Sequence, residues 1–236
     1  MTINNLLIII PAYNEGKNLI ELLKKIRSEN ENWSIIIVDD SESFETNKLI
    51  ENYKEKKIYY IKRNLKMGRG SAVRFGFEYS KKNKFDYILE MDADLSHNPS
   101  EIKLLLNKLI SKKHDLVIGS RYLKNSKIIG WPIKRRIFSK LSNFLAKFLF
   151  GFGLTDYTNG FRVYSADAIN ELIKYPIENN GFMYLTETFT ILKKKNFKIS
   201  EQATVFINRK KGSSSLKLSE ILSSFLGIIK LKLKKL

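Results

Sequence analysis

Two aspartates one residue apart, Asp92 and Asp94, follow the apolar run Tyr87-Ile88-Leu89-Glu90-Met91, which reads as a buried strand, and precede the polar turn cluster Ser96-His97-Asn98-Pro99. Residues i and i+2 of an extended chain point the same way, so if strand geometry persists the two carboxylates lie side by side at the strand's C-terminal edge. Like charges so placed repel unless a cation sits between them. Hard oxygen ligands suit Mg2+ or Mn2+, and Mg2+ commonly binds through one or two carboxylates plus substrate phosphates. A blander reading stays open, in which Asp94 caps the helix near Asn98 and Asp92 is a solvated strand end.

The elements that must position these residues read as an alternation of strands and helices. Leu6 to Pro11 is an apolar strand leading to Ala12-Tyr13-Asn14-Glu15-Gly16 and a helix with Leu19, Leu22, Leu23 and Ile26 at helical spacing. Ile35 to Val38 runs into Asp39-Asp40-Ser41, Ile58 to Ile61 leads towards Met67-Gly68-Arg69-Gly70, and Leu116 to Ile118 ends in Gly119-Ser120-Arg121-Tyr122. Such alternation predicts an α/β fold with a parallel, doubly wound sheet. Ligands bind such sheets beyond the carboxyl ends of the strands, so that shared polar edge is the expected active site. Gly68-Arg69-Gly70 is no dinucleotide fingerprint, because Val73 stands where a third glycine should be; a tight strand-to-helix turn is the simpler reading. Further on, Ala166 to Ile173 and Met183 to Lys195 read as helices, and Lys198 to Ile207 as one strand.

The 236 residues are enough for one sizeable core, and the absence of cysteine excludes disulfide and thiolate chemistry. His97 and His114 are the only histidines, which leaves little for a zinc site or a histidine-based triad. Neither a signal peptide nor a run of ~20 apolar residues is expected from the pattern. The formal net charge is +18 and is concentrated: Lys124, Lys127, Lys134, Arg135, Arg136, Lys140 and Lys147 stand in a stretch with no acid, and residues 209–236 hold eight basic residues against Glu220. Anionic lipid, a polyanionic substrate and nucleic acid are all compatible with that charge alone. Ile133 to Phe150 reads as an amphipathic helix through Ile133, Ile137, Leu141, Phe144, Leu145 and Phe148, with Arg135 and Ser139 one turn apart on a common face. It is either an ordinary helix packed on the core or a membrane-surface or phosphate-binding one. Residues 217–236 read as a basic amphipathic helix, docked or lying on a membrane, after a single domain spanning 1–216.

Seven motifs in order resemble those of family 2 glycosyltransferases, and among these the polyprenyl-phosphate (dolichyl-phosphate) mannose synthases. They are Pro11-Ala12-Tyr13-Asn14-Glu15, Val38-Asp39-Asp40-Ser41, Gly68-x-Gly70-x-Ala72-Val73-Arg74-x-Gly76-Phe77, Asp92-x-Asp94-x-Ser96-His97-x-Pro99, Gly119-Ser120-Arg121-Tyr122, Asp156-x-Thr158-Asn159-Gly160-Phe161-Arg162-x-Tyr164 and Arg209-x-x-Gly212-x-Ser214. The resemblance covers residues 6 to 216. It implies a GT-A nucleotide-diphospho-sugar transferase fold, with a mostly parallel sheet flanked by helices, and inverting transfer of a hexose to a polyprenyl monophosphate. Mannose from GDP-mannose is the expected donor, and a UDP-sugar is the alternative. By that resemblance Pro11, Tyr13, Glu15 and Asp40 surround the donor nucleoside, and Asp92 and Asp94 hold Mg2+ or Mn2+ against the diphosphate. Arg121, Arg135 and Ser139 bind the acceptor phosphate, and Arg209 approaches the donor diphosphate.

The chain departs from the family pattern in two places. Phe44-Glu45-Thr46 stands where Asp-x-Thr is common, and Gly212-Ser213-Ser214-Ser215 where Gly-x-Ser-Lys is common. The expected setting is peripheral, on the cytoplasmic face of a membrane, with a membrane-anchoring subunit as a possible partner. A nucleotidyltransferase would also use paired aspartates, but wants a glycine- and lysine-rich loop where this chain has Ala12-Tyr13-Asn14-Glu15. Nucleic-acid binding has only the charge in its favour, with no accompanying motif, so no nucleic-acid partner is expected.

Overall fold

The computed structural model describes residues 5–53, 55–63, 65–151, 153–176 and 183–208. Strand β1 (Leu6–Ala12) lies in the interior of a seven-stranded sheet and is apolar on both faces, as a strand covered by helices on each side must be. Its alternation divides the core: Leu7 and Ile9 point to one side, Leu6, Ile8 and Ile10 to the other.

On the second of these sides pack α1 (Gly16–Glu29), through Leu19, Leu22, Leu23 and Ile26, and α4 (Ile102–Ser111), through Ile102, Leu105, Leu106 and Leu109. The short α2 (Glu45–Asn52) adds Ile50. On the first side pack α3 (Arg69–Lys82), α6 (Ala166–Leu172) and α7 (Tyr184–Lys194). Gly76 of α3 sits directly on the sheet, where an added Cβ would lie 2.6 Å from the Ile9 side chain. Gly76→Ala is therefore expected to destabilise the fold by about 1–3 kcal/mol, the usual cost of overpacking. Urea denaturation would check this, and an unchanged midpoint would contradict the close packing described.

The remaining strands are β2 (Ser34–Asp39), β3 (Ile58–Lys62), β4 (Tyr87–Glu90), β5 (Leu116–Ser120), β7 (Arg162–Ser165) and β8 (Ile199–Ala203), in the spatial order β3-β2-β1-β4-β7-β5-β8. All pairings are parallel except those of β7, which runs antiparallel between β4 and β5. The sequence was legible as a parallel sheet because its first strands and helices alternate. The reversal follows the segment before β7, whose Asp156 and Asn159 are tied to Arg121 and Gly119 at the end of β5.

The stretch read as one strand from Lys198 to Ile207 is two. β8 ends at Ala203, and β9 (Val205–Ile207) leaves to pair with β6 (Lys127–Ile129) in a separate two-stranded sheet. Buried Glu101 causes the break by accepting hydrogen bonds from the Thr204 hydroxyl and the Val205 amide. A long-range partner of this kind leaves no trace in local periodicity.

Helix α5 (Ile133–Phe150) occupies the span expected from its period, but the bland packing expectation for it fails. Ile133, Ile137, Leu141, Phe144 and Phe148 face solvent, with Ile133, Phe144 and Phe148 exposed by 76, 64 and 74%. Contact with the core comes instead through Asn143 and Ala146 on the opposite face. Among the described residues no helix is long and apolar enough to cross a membrane. The expected helix at 217–236 lies outside the described residues, as do Arg209 and the Gly212-x-Ser214 motif.

Candidate active site

Strand β4 ends at Glu90, two residues before Asp92, so a turn and not the strand pleat carries the two aspartates. Leu95 takes a left-handed conformation at φ 65°, and Asp94 accepts a hydrogen bond from the Ser96 amide at 3.0 Å. A leucine held in that region carries backbone strain, a feature that gathers at functional turns. His97 closes the turn. Its Nδ1 accepts from the Asp92 amide at 3.1 Å, so Nε2 carries the proton and donates to Asn159 Oδ1 at 2.9 Å. The imidazole is stacked on Phe161 at 5.0 Å, and burial pushes its pKa below the ordinary value, which keeps it neutral.

The residue between the two glycines proves more consequential than the turn they form. Arg69 donates from Nε to Asp92 Oδ1 at 2.9 Å, with Nη2 at 2.8 Å from the same oxygen, and reaches the fully buried Glu90 with Nη1 at 3.3 Å. Burial alone would raise the Asp92 pKa; the Arg69 charge, helped by Arg121, outweighs it and holds the carboxyl below its ordinary value. Glu90 also accepts from the hydroxyls of Tyr164 (2.7 Å) and Tyr184. Gly160 is required because the Arg69 guanidinium passes over it, in space that any Cβ would fill. Arg69 and Glu90 were not read from the sequence as site residues. The signal was present only as an arginine inside a glycine turn and a glutamate inside an apolar strand.

At the ends of β1 and β2 the structure brings together the residues expected around the donor nucleoside. Pro11 is the penultimate residue of β1, half-buried Tyr13 donates to Glu42 at 3.2 Å, and Lys66 lies 4.0 Å over the Tyr13 ring. Glu15 accepts from Asn18 at 2.7 Å. Asp40 faces inward: its carboxylate receives Arg63 Nε and Nη2 and the amides of Met67 and Gly68. Its visible task is to hold the loop that leads into Arg69. Neighbouring Asp39 accepts from the Ser41 amide at 2.9 Å and from the Tyr60 hydroxyl at 2.6 Å.

The residues expected at the acceptor phosphate form a second cluster. Arg121 is buried and forked onto Asp156, through Nε at 2.7 Å and Nη2 at 2.8 Å, and its Nη2 also reaches Thr158. Phe206 joins the two clusters: the His97 ring of the carboxylate turn and the Arg121 guanidinium each lie 5.5 Å from its ring centre. Arg135 lies 4.3 Å over the Trp131 ring and donates to Asn208 at 2.9 Å. Ser139, one turn along α5, neighbours the hydroxyl of Tyr122.

Among the described residues no three histidine, aspartate or glutamate side chains converge as a metal cage. The arrangement does fit a divalent cation of the kind that shares its coordination with substrate phosphates. One Asp92 oxygen is fixed by Arg69, its side chain is 26% exposed, and Asp94 stands beside it in the same turn.

Residues 7–173 match the profile of glycosyl transferase family 2. The chain is 30% identical over 212 residues to an undecaprenyl-phosphate mannosyltransferase of Micrococcus luteus, covering 89% of this chain and 86% of that one. It is 29% identical over 218 residues to a polyprenol monophosphomannose synthase of Mycolicibacterium smegmatis, covering 91% and 82%. Its fold matches that of glucosyl-3-phosphoglycerate synthase from Mycobacterium tuberculosis, solved with Mn2+, uridine diphosphate and phosphoglyceric acid. That match has a TM-score of 0.71 at 13% identity and covers 96% of this chain and 78% of that one. A mostly parallel sheet with its carboxylate turn at the active edge, and a family match across most of the chain, lead to one conclusion: the chain belongs to glycosyl transferase family 2 and is a glycosyltransferase with a GT-A-like fold.

Proposed function

We propose that this enzyme transfers a hexose, mannose from GDP-mannose, to a polyprenyl monophosphate at a membrane surface. The observation that carries the reading is that Phe206 joins a carboxylate turn, Asp92 to His97, to a guanidinium cluster, Arg121 and Arg135, at the base of a helix with an exposed apolar stripe. The names of the M. luteus and M. smegmatis relatives agree with it.

The chemistry asks little of a general base. A phosphomonoester has a second pKa of ~6 and is largely dianionic at neutral pH, so its oxygen is already nucleophilic. What the protein must supply is position and countercharge. Planar guanidinium groups suit the phosphate oxygens, and Arg121, locked by Asp156, is held ready in one orientation. Asp92 and Asp94 would hold Mg2+ or Mn2+, which would neutralise charge developing on the departing diphosphate. Arg69 keeps Asp92 ionised and aimed for that task.

The exposed stripe of α5 is flanked by Lys134, Arg136, Lys140 and Lys147, the pattern of a helix lying in an anionic bilayer surface. That supports a peripheral location on the cytoplasmic face, where an anchoring subunit would be an additional and not an obligatory tether. Phe144→Glu on the stripe is expected to lower partition onto vesicles containing anionic lipid about tenfold, the effect of removing one buried aromatic and adding a repelled charge. Equal sedimentation of variant and parent with vesicles would remove α5 from the membrane contact.

The test of the activity is donor turnover with Mg2+ or Mn2+, with and without a short-chain polyprenyl phosphate. Lipid-dependent release of GDP from GDP-mannose is expected. UDP-glucose run in parallel tests the second reading, a UDP-sugar donor, which the UDP-bound structural neighbour favours. Lipid-independent hydrolysis alone would count against both.

A further inference from the structure

We infer that two further hydrogen-bond donors, the Tyr122 hydroxyl and the Trp131 indole N–H, bind the acceptor's phosphate together with Arg121, Arg135 and Ser139. The inference rests on the polyprenyl-phosphate reading and extends its acceptor site.

The argument begins with what Arg121 lacks. Its Nε and Nη2 are committed to Asp156 and Thr158, so only part of its fork remains for a ligand. Arg135 shares Nη1 with Asn208. A phosphomonoester dianion presents three oxygens, each able to accept more than one hydrogen bond, and these guanidinium edges do not exhaust them.

Two buried polar atoms beside these arginines have no hydrogen bond. Trp131 is 7% exposed, and its Nε1, which can only donate, has no partner. The Tyr122 hydroxyl neighbours Ser139 but forms no hydrogen bond of regular geometry. Buried donors are paired in nearly all native structures, and each exception calls for an explanation. The two rings meet on one group: the Arg121 guanidinium lies 5.7 Å from the Tyr122 ring centre and 5.2 Å from that of Trp131. Arg135 stacks on Trp131 as well.

The surroundings specify what the missing acceptor is. The charged groups around Tyr122 are Arg121, Arg136 and Asp156, and the carboxylate of Asp156 already accepts from Arg121 and Thr158. A site with surplus positive charge and unsatisfied donors calls for an anion with several oxygens. Burial raises the Tyr122 phenol above its ordinary pKa, so it stays a donor at neutral pH. The adjoining first turn of α5 has no acidic residue and no capping side chain, which further favours a negative group.

Tyr122→Phe removes the donor and keeps the ring, while Trp131→Phe removes the donor and puts a smaller aromatic ring in place of the indole. Calorimetric titration of the full chain with a short-chain polyprenyl phosphate, the corresponding prenol and inorganic phosphate separates headgroup from tail. Each variant is expected to bind the prenyl phosphate about tenfold more weakly, the loss of one hydrogen bond to a charged group. Affinity for the nucleotide sugar should not change. The melting temperature of Tyr122→Phe should hold or rise, because a buried donor without a protein partner contributes nothing to the unliganded fold, whereas Trp131→Phe loses buried ring volume and should melt lower. Wild-type affinity for prenyl phosphate in both variants would overturn the inference while leaving the acceptor reading intact. A lowered melting temperature with donor and acceptor affinities reduced alike would assign the two groups a structural role and overturn it too. A wild-type chain that binds the nucleotide sugar but neither phosphate compound would overturn the acceptor reading and this inference together.

Discussion

Asp94→Ala is expected to lower turnover by about 10²–10³-fold, the usual effect of removing one group that stabilises charge as it develops, while the protein remains folded. Asp94 sits in a half-buried turn, where it accepts a hydrogen bond from the Ser96 amide. Asp92 would remain in place on Arg69 and His97. What disappears is the second carboxylate at the edge where a cation and a diphosphate would meet. A metal titration of turnover, with a thermal melt of the same preparation, decides the matter. Turnover like that of the parent at saturating Mn2+, from a protein with an unchanged melt, would remove the metal role from this turn.

The largest effect on stability is expected at Asp156. Its carboxylate accepts from the Arg121 amide (3.0 Å), from Arg121 Nε and Nη2 and from the Thr158 amide, and both members of the ion pair are buried. Asp156→Ala leaves a guanidinium uncompensated in a nearly dry site, a change that typically costs about 3–5 kcal/mol. Against a typical total stability of about 5–15 kcal/mol, that is enough to unfold a marginal domain. Arg121 would also lose the anchor that orients it for phosphate.

The pH dependence follows from the same pair. Burial alone would raise the Asp156 pKa, but the Arg121 charge and its hydrogen bonds outweigh this and hold it below the ordinary carboxylate range. A depressed native pKa stabilises the fold fully above the unfolded value of about 3.9 and is lost as pH falls through the lower native value. The stability difference between parent and Asp156→Ala should therefore be full at pH 7 and shrink below about pH 4. Urea denaturation at both pH values measures it, and a difference that grows on acidification would contradict the ion-pair account.

The comparison of sequence with structure divides along physical lines. Strands β1, β2 and β5 and helices α1 and α5 could be read because burial on two faces or one face imprints a period on consecutive residues. The active edge was legible too, since each strand ends in polar or glycine residues that no core requires. Three things were not legible. β7 runs antiparallel, an orientation set by the path of the preceding loop. Thr204 breaks a strand because Glu101, far away in sequence, takes its hydroxyl and the next amide. The amphipathic period of α5 gave the helix but not which way its apolar face would turn.

The sequence alone determined the alternating elements, the family motifs and the two aspartates at a strand end, because these follow from local residue types and spacing. Only the tertiary structure decided that Arg69 guards Asp92, that Asp156 locks Arg121, and that Tyr122 and Trp131 stand with unpaired donors beside the same guanidinium. Each of those facts joins residues distant in the chain or fixes where a polar atom finds its partner. Such pairings depend on three-dimensional proximity and burial, which local sequence pattern does not encode.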